Sequence, residues 1–557
     1  MPHASEGIGP VTIHRARRIV TMEPALPSAT AIAVADGRVV AVGTDDSLRS
    51  WRERPGTVVD DTFAEHVLLP GFIDAHVHPT LPAVLTQFPF IAPESWSLPT
   101  GEFPAATTPE AFLARLDDVV ADHADWSVPC IAWGWHPLWH GELSRSALDA
   151  RYGDRPLVLW HRSFHELLLN SAALAWTAIE RTAVEQHPEV NWERGHFWEN
   201  GAQLLVTRLA PLFLRPDRYL QGMKNFLAML HQAGVTTCLD MGIGTLGNPM
   251  GESALIRQAV EEADPPCRLS LTPITIDFLA RGLTPTAALE QVEVWQSENT
   301  DRVRMDRRMK LMLDGAIFGA LSQYGFPGYL DGHSGQWMTP PETNREWAEV
   351  FWNAGYQIHA HTNGDLSADL FIDLLRHLQD VKPRFDHRMT LEHFAYTTED
   401  QNRQLAALGA LVSANPYYVH ILGDIFSDTL LGQDRGSQMV RLGSLERLGV
   451  PFALHSDCPM APLSPLTLAR VAATRQTING NVLCPNERIS LDRALRAITI
   501  DAAWVMGWER EIGSLRAGKR ADAVVLSEDP YEVGSDHLDD ITIWGTMFEG
   551  RLAPVSH

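Results

Sequence analysis

Positive charge, cysteine and long apolar runs are what this sequence is short of. Its 45 lysines and arginines are outnumbered by 69 aspartates and glutamates, giving a formal charge of −24. Nucleic acid and anionic membrane surfaces both require clustered cations, so neither is an expected partner. The five cysteines, Cys130, Cys238, Cys267, Cys458 and Cys484, are odd in number and form no CxxC pair. That excludes a disulfide framework or a structural zinc knuckle and fits a reducing, cytoplasmic setting. No apolar stretch approaches the roughly 20 residues that a membrane-spanning helix needs. The opening MPHASEGIGPVTIH lacks the basic start and apolar core of a secretory signal. What is present is a globular composition, 45% hydrophobic and 20% charged, which argues against extended disorder.

With 557 residues the chain exceeds what one compact core holds, so a large domain beside a smaller one is expected. Both ends read as β-rich. VTIHRARRIVTM and ATAIAVADGRVVAVG stand near the start, the second broken by a hairpin turn at Asp36-Gly37. ADAVVLSEDP and DITIWGTMFEGRL, with a turn at Glu549-Gly550, stand near the finish. A small β-sandwich assembled from residues 1–65 and 500–557 is the expectation. Between them, over 66–499, eight short apolar strands alternate with amphipathic helical stretches, which reads as an α/β chain built as a (β/α)₈ barrel. The strands are GFIDAHVHP, GVTTCLDMG, RLSLTPITI, RMKLMLDG, YQIHAHTNGD, HRMTLEHFA, ALVSANP and VPFALHSDCP.

One interval breaks the rhythm. Residues from about 80 to 215 hold nine of the 17 tryptophans and read as a cap inserted over the face where barrel chemistry sits. The aromatics are either the cap's own core or the lining of a substrate pocket.

At the carboxyl ends of the strands stand His76 and His78, Lys310, His361, His393 and Asp457. Alternate residues of a strand share a face, so His76 and His78 project together. Metal-type residues at the ends of five strands that a barrel would converge point to a metal site. Neutral imidazoles and a carboxylate suit zinc, with manganese, iron or nickel as alternatives. Four histidines and Asp457 are more than one catalytic zinc needs, whereas two metals would use them all.

In LPGFIDAHVHP, KLMLDG, HAHTNGD, LEHF, HSDCP and GSLRAGKRADAVVL, taken in order, the sequence resembles the amidohydrolase superfamily, in particular the branch of the N-substituted formamide deformylases. The resemblance implies that His76 and His78 hold a buried metal and that His361 and His393 hold a more exposed one. Asp457 would touch the buried metal and the attacking water, and Lys310, carboxylated on its amine, would bridge the two ions. It also carries over His165 and Asn170, from HRSFHELLLNSAAL, as pocket residues. Departures from the family pattern are Asn363 in HTNGD, Asn415 in SANPYY and His455 in HSDCP. Asn363 and Tyr417 join His165 as candidate substrate or oxyanion contacts.

The implied chemistry is hydrolysis of a non-peptide C–N bond, in an N-acyl or N-formyl amine, by a metal-bound hydroxide, with Asp457 as proton acceptor and then donor. The expected partner is a small molecule with an aromatic or apolar moiety; the charge is compatible with a homo-oligomer. Two other classes use the same features. A metal-dependent lactonase or ester hydrolase would need the same ligands. A non-catalytic binding protein like the exoenzyme regulators would keep the fold alone.

Overall fold

The computed structural model describes residues 8–244 and 247–555. Both ends of the chain meet in one seven-stranded sheet, in the order Arg551–Pro554, Ile543–Phe548, Ala523–Leu526, Val58–Pro70, Thr12–Val20, Ser28–Ala35 and Arg38–Gly43. Val58–Pro70 was not foreseen among the strands, and it is the one that joins the ends. It runs parallel to Thr12–Val20 and antiparallel to Ala523–Leu526. Its run VVDDTFAEH is too polar to look like a strand, because much of it is exposed. The two hairpin turns fall where expected: Asp36 and Gly37, and Glu549 and Gly550, all have positive φ, as tight primed turns require.

The middle of the chain contributes two parallel sheets. One contains Phe72–Val77, Val235–Ile243, Arg268–Pro273 and Val303–Met305. The other contains Arg308–Met312, Gln357–Thr362, Thr390–His393, Leu411–Ala414 and Phe452–Leu454. Parallel strands packed on both faces carry near-continuous apolar runs, and almost every residue of these is buried. The expected fourth strand, RMKLMLDG, forms over Arg308–Met312, and a short strand that was not foreseen, Val303–Met305, precedes it. The chain breaks its ladder at Asp306, whose carboxylate takes Ser270 Oγ at 3.2 Å and Trp508 Nε1 at 3.0 Å.

Hydrogen bonds link the two sheets at both edges. Ile274 bridges Lys310 in parallel fashion. On the other side Asp457 N donates to His76 O at 2.9 Å, and His78 N donates to Cys458 O at 3.2 Å. The helix Ile500–Met506 packs with Ile73, Leu239 and Ala453 of the parallel strands, so it belongs to their core rather than to the terminal sheet.

The inserted segment has a sheet of its own, in the order Val190–Asn191, His196–Trp198, Glu166–Leu169, Leu157–His161 and Cys130–Trp135. Trp133 and Trp160 are fully buried in its packing. The guanidinium of Arg162, paired with Glu94, sits over Trp96, Trp133 and Phe318 at 4.9–5.2 Å. No helix among the described residues is long and apolar enough to cross a membrane.

Candidate metal centre

The strand Phe72–Val77 places Asp74 and His76 on one face, and His78 follows at the next alternate position. His76 Nδ1 lies 2.6 Å from Glu392 Oε2, which fixes the proton on Nδ1 and leaves Nε2 with its lone pair free. That Nε2 faces His78 Nε2 at 3.3 Å. Asp457 Oδ1 completes a triangle, 3.4 Å from the first nitrogen and 3.2 Å from the second. With the His78 proton on Nδ1, which lies 4.0 Å from Asp240 Oδ1, three lone pairs converge at a spacing that favours a cation among them. Bonds of about 2.0–2.1 Å at tetrahedral angles place ligand atoms about 3.3 Å apart. The residues present therefore fit a divalent metal.

Around the triangle lie the other residues expected from the sequence. His393 Nδ1 is 3.7 Å from Asp457 Oδ2 and accepts from Tyr418 Oη at 3.2 Å. The His393 ring centre is 4.3 Å from that of His361 and 4.7 Å from that of His76. Lys310 is fully buried and its Nζ has no hydrogen-bond partner. Burial pushes its amine down to about 8, against the pull of Glu392 and Asp457. Burial first, and then neighbouring positive charge, holds His76, His361, His393 and His455 far below the ordinary imidazole value. Neutral imidazole is the form a metal takes.

The backbone is strained at this site. His393 and Asp457 have φ of +76° and +56°, values that cost a non-glycine residue energy and persist where the surroundings impose them. Asp74 imposes the second. Its carboxylate accepts from Ser456 N at 3.2 Å and Ser456 Oγ at 2.5 Å, which pins the turn that aims Asp457. Gly364 has a different constraint, since a Cβ there would lie 1.9 Å from Gln323 O.

His76, His78, Lys310, His361, His393 and Asp457 line one chamber of about 800 Å³. Leu81, Phe164, Val206, Met241, Ile274, Met312 and Met460 form apolar walls. His165 reaches it from the inserted segment, its Nδ1 2.7 Å from Glu199 Oε2. The Glu199 charge raises the His165 imidazole against its burial. Glu199 Oε1 also accepts from Ala316 N at 3.1 Å, tying the insert to the loop beyond Lys310.

Three expected contacts do not reach the chamber wall. Asn170 caps the helix Ser171–Thr177, its Oδ1 accepting from Ala173 N and Leu157 N, both at 3.0 Å. Asn363 is buried, its amide donating to Gly315 O at 3.1 Å and to His361 Nε2 at 2.9 Å, so it orients a ligand candidate and does not face a substrate. Tyr417 is buried outside the wall, and its neighbour Tyr418 makes the contact to His393. None of the insert's tryptophans lines the chamber; they pack the insert itself.

Glu392 and Glu199 were not foreseen here, and His455 stood out only as a departure from the family pattern. Glu392 is fully buried and accepts from His76 Nδ1 and His359 Nδ1, each at 2.6 Å. His455, whose ring centre lies 4.5 Å from that of His76, forms with His76 and His393 a second group of converging ligand atoms. The alternation Asp74-His76-His78 was a legible signal for Asp74. Glu199 carried none, because only the folded insert brings it here.

A model of the amidohydrolase family matches residues 64–554. An N-substituted formamide deformylase from Arthrobacter pascens is 25% identical over 550 residues, 94% of each chain. An exoenzymes regulatory protein from Pectobacterium carotovorum is 22% identical, over 83% of this chain and 95% of its own. Among solved structures, a metal-dependent hydrolase from Pyrococcus horikoshii superposes with a TM-score of 0.73 at 18% identity, covering 95% of this chain and 99% of its own.

Proposed function

This chain belongs to the amidohydrolase family, hydrolases of C–N bonds other than peptide bonds, and we propose that it cleaves a small neutral amide, an N-acyl or N-formyl amine, in the chamber above His76 and His78. The observation that carries the proposal is the triangle of His76 Nε2, His78 Nε2 and Asp457 Oδ1, with edges of 3.2–3.4 Å, at the floor of an apolar chamber. We read the two parallel sheets as arcs of a single (β/α)₈ barrel, supported by the bonds at both edges. The terminal sheet is read as the accompanying smaller unit.

His76, His78 and Asp457 would hold one divalent metal, with zinc suiting the donors best. His361 and His393 would hold a second, and Lys310, carboxylated on its orphaned Nζ, would join the two. Such ions supply a lowered water pKa and a polarised carbonyl. The protein's own groups do the rest. Asp457 accepts a proton from the attacking water as the C–O bond forms, and returns it to nitrogen as the C–N bond breaks, leaving a carboxylic acid and an amine. Glu392 holds His76 in one tautomer. His165, with Nδ1 engaged by Glu199, presents Nε2 to the chamber and positions the amide oxygen or nitrogen.

The test is metal content per chain, measured with and without bicarbonate, beside parallel panels of N-formyl amines and lactones. Two equivalents that fall to one without bicarbonate, and turnover of amides, are expected. Loss of all turnover in Asp457→Asn with near-normal folding is expected as well. Turnover of lactones alone would make the protein an ester hydrolase. No bound metal and no turnover would leave a binding protein.

A further inference from the structure

Beside the chamber lies a second hollow of about 1260 Å³ that none of the candidate ligands touches. The two spaces share Gln203, Ile276 and Met338, each partly exposed. These three come from separate segments: the helix Glu199–Phe213, the helix Thr275–Ala280 and the loop beyond Arg308–Met312, where Met338 N donates to Leu313 O at 2.8 Å. The partition is therefore one side chain thick. Two of its members, glutamine and methionine, are unbranched and can swing aside at little cost.

The outer walls define what would bind there. Leu204, Leu279, Ala280 and Pro340 are apolar, and Leu204 is 37% exposed. Among the described residues, the one carboxylate lining the space, Asp277, is already paired with Arg281 at 2.6 Å, no lysine or arginine lines it, and His187 is the other titratable side chain there. An alkyl or aryl group would cover apolar surface that now faces water.

We propose that the outer hollow binds the distal apolar arm of the substrate, threaded past Gln203, Ile276 and Met338 while the bond to be cut lies at the imidazole cluster. The inference rests on the reading above of where that bond lies, and it adds that the substrate is long and uncharged at its far end. Met338 and Ile276 would then set its permitted width.

Straight-chain hydroxamic acids from acetyl to decanoyl, added to the zinc-loaded full-length protein, test this without requiring turnover. The head group anchors at the metal, and the tail reports the outer hollow through calorimetric affinity. In the wild type, affinity should rise by about fourfold per methylene through the longest tails. The decanoyl-to-acetyl ratio should fall at least about tenfold in both Met338→Trp and Leu204→Asp; Leu204 is a surface position, so that variant should fold even if the first does not. A ratio unchanged in the variants, or wild-type affinity that stops rising at butanoyl, would overturn the proposal. N-formyl alkylamines of the same lengths separate it from the functional reading. If none is hydrolysed while the hydroxamate series behaves as expected, amide hydrolysis falls and the outer site stands. If all are hydrolysed with equal kcat/KM, the outer site falls and amide hydrolysis stands.

Discussion

Glu392 shows how much a single buried carboxylate can decide. It reaches no substrate, yet it accepts from His76 and His359 at 2.6 Å each and so fixes which nitrogen of His76 is free. A glutamine there would offer an N–H to one of the two imidazoles and force a different tautomer. Outer partners of ligating histidines typically carry about 10–100-fold in metal affinity, and Glu392→Gln should weaken zinc binding by that range in a competition titration against a chelator. Unchanged affinity would mean that His76 is held by packing alone. At the same scale, His165→Ala should lower turnover about 10–100-fold and leave metal content unchanged, since His165 touches the chamber but none of the ligand triangle. The histidines themselves were visible in the sequence because strand alternation is local. Their partners were not, since Glu392 and His76 are 316 positions apart.

Among the elements, the loop after Arg308–Met312 is organised by Asp314. Its carboxylate accepts from Asn363 N and Gly364 N at 2.9 Å and from Gln323 N at 3.0 Å, which couples the loop to the start of the helix Asp365–Val381. Burial nevertheless raises this carboxyl from 3.8 to about 6. A folded-state value above the unfolded one means that the folded protein binds the proton more tightly. The corresponding stabilisation is complete below about pH 4 and is lost as pH rises through about 6. Asp314→Asn is uncharged throughout. The stability of the wild type relative to this variant should therefore fall by about 2 kcal/mol between pH 4 and pH 7.5, read by urea unfolding with chelator present. A constant difference would show that the anion is as well accommodated as the acid. The insert teaches a related lesson about elements. Its tryptophans were legible as a cluster, but whether they faced a ligand or the insert's own side chains depended on how its five-stranded sheet packed: Trp96 and Trp133 meet each other and Arg162, and Trp160 stacks on Phe164.

Across the whole molecule, the terminal sheet and the parallel strands are joined through Arg268. Buried on the strand Arg268–Pro273, it donates to Asp522 at 2.5 Å and to Glu549 at 2.8 Å, and it lies 4.2 Å from the centre of the Phe548 ring. Removing one partner of a buried pair leaves the other charge stranded, at a cost of about 3–5 kcal/mol. Arg268→Met should lower the unfolding midpoint accordingly, and adding Asp522→Asn should recover part of the loss. If the single variant unfolds like the wild type, the two sheets are held together by their other contacts, such as His231 Nε2 with Ala553 O at 2.9 Å, and Arg268 adds nothing. Stripping metal with a chelator should also lower Tm, with zinc restoring it, because an ion bound only by the folded state stabilises that state.

The runs that become parallel strands, the two hairpin turns and the shared face of His76 and His78 follow from apolar patterning, turn residues and alternation. Each depends on neighbours within a few positions, so the linear order was enough to find them. The polar strand Val58–Pro70, the break at Asp306, the partners Glu392 and Glu199, and a chamber walled by methionine and aliphatic groups in place of tryptophan arose from packing. Whether a polar run pairs, and which carboxylate meets which imidazole, depends on segments distant in sequence that come together only when the core closes.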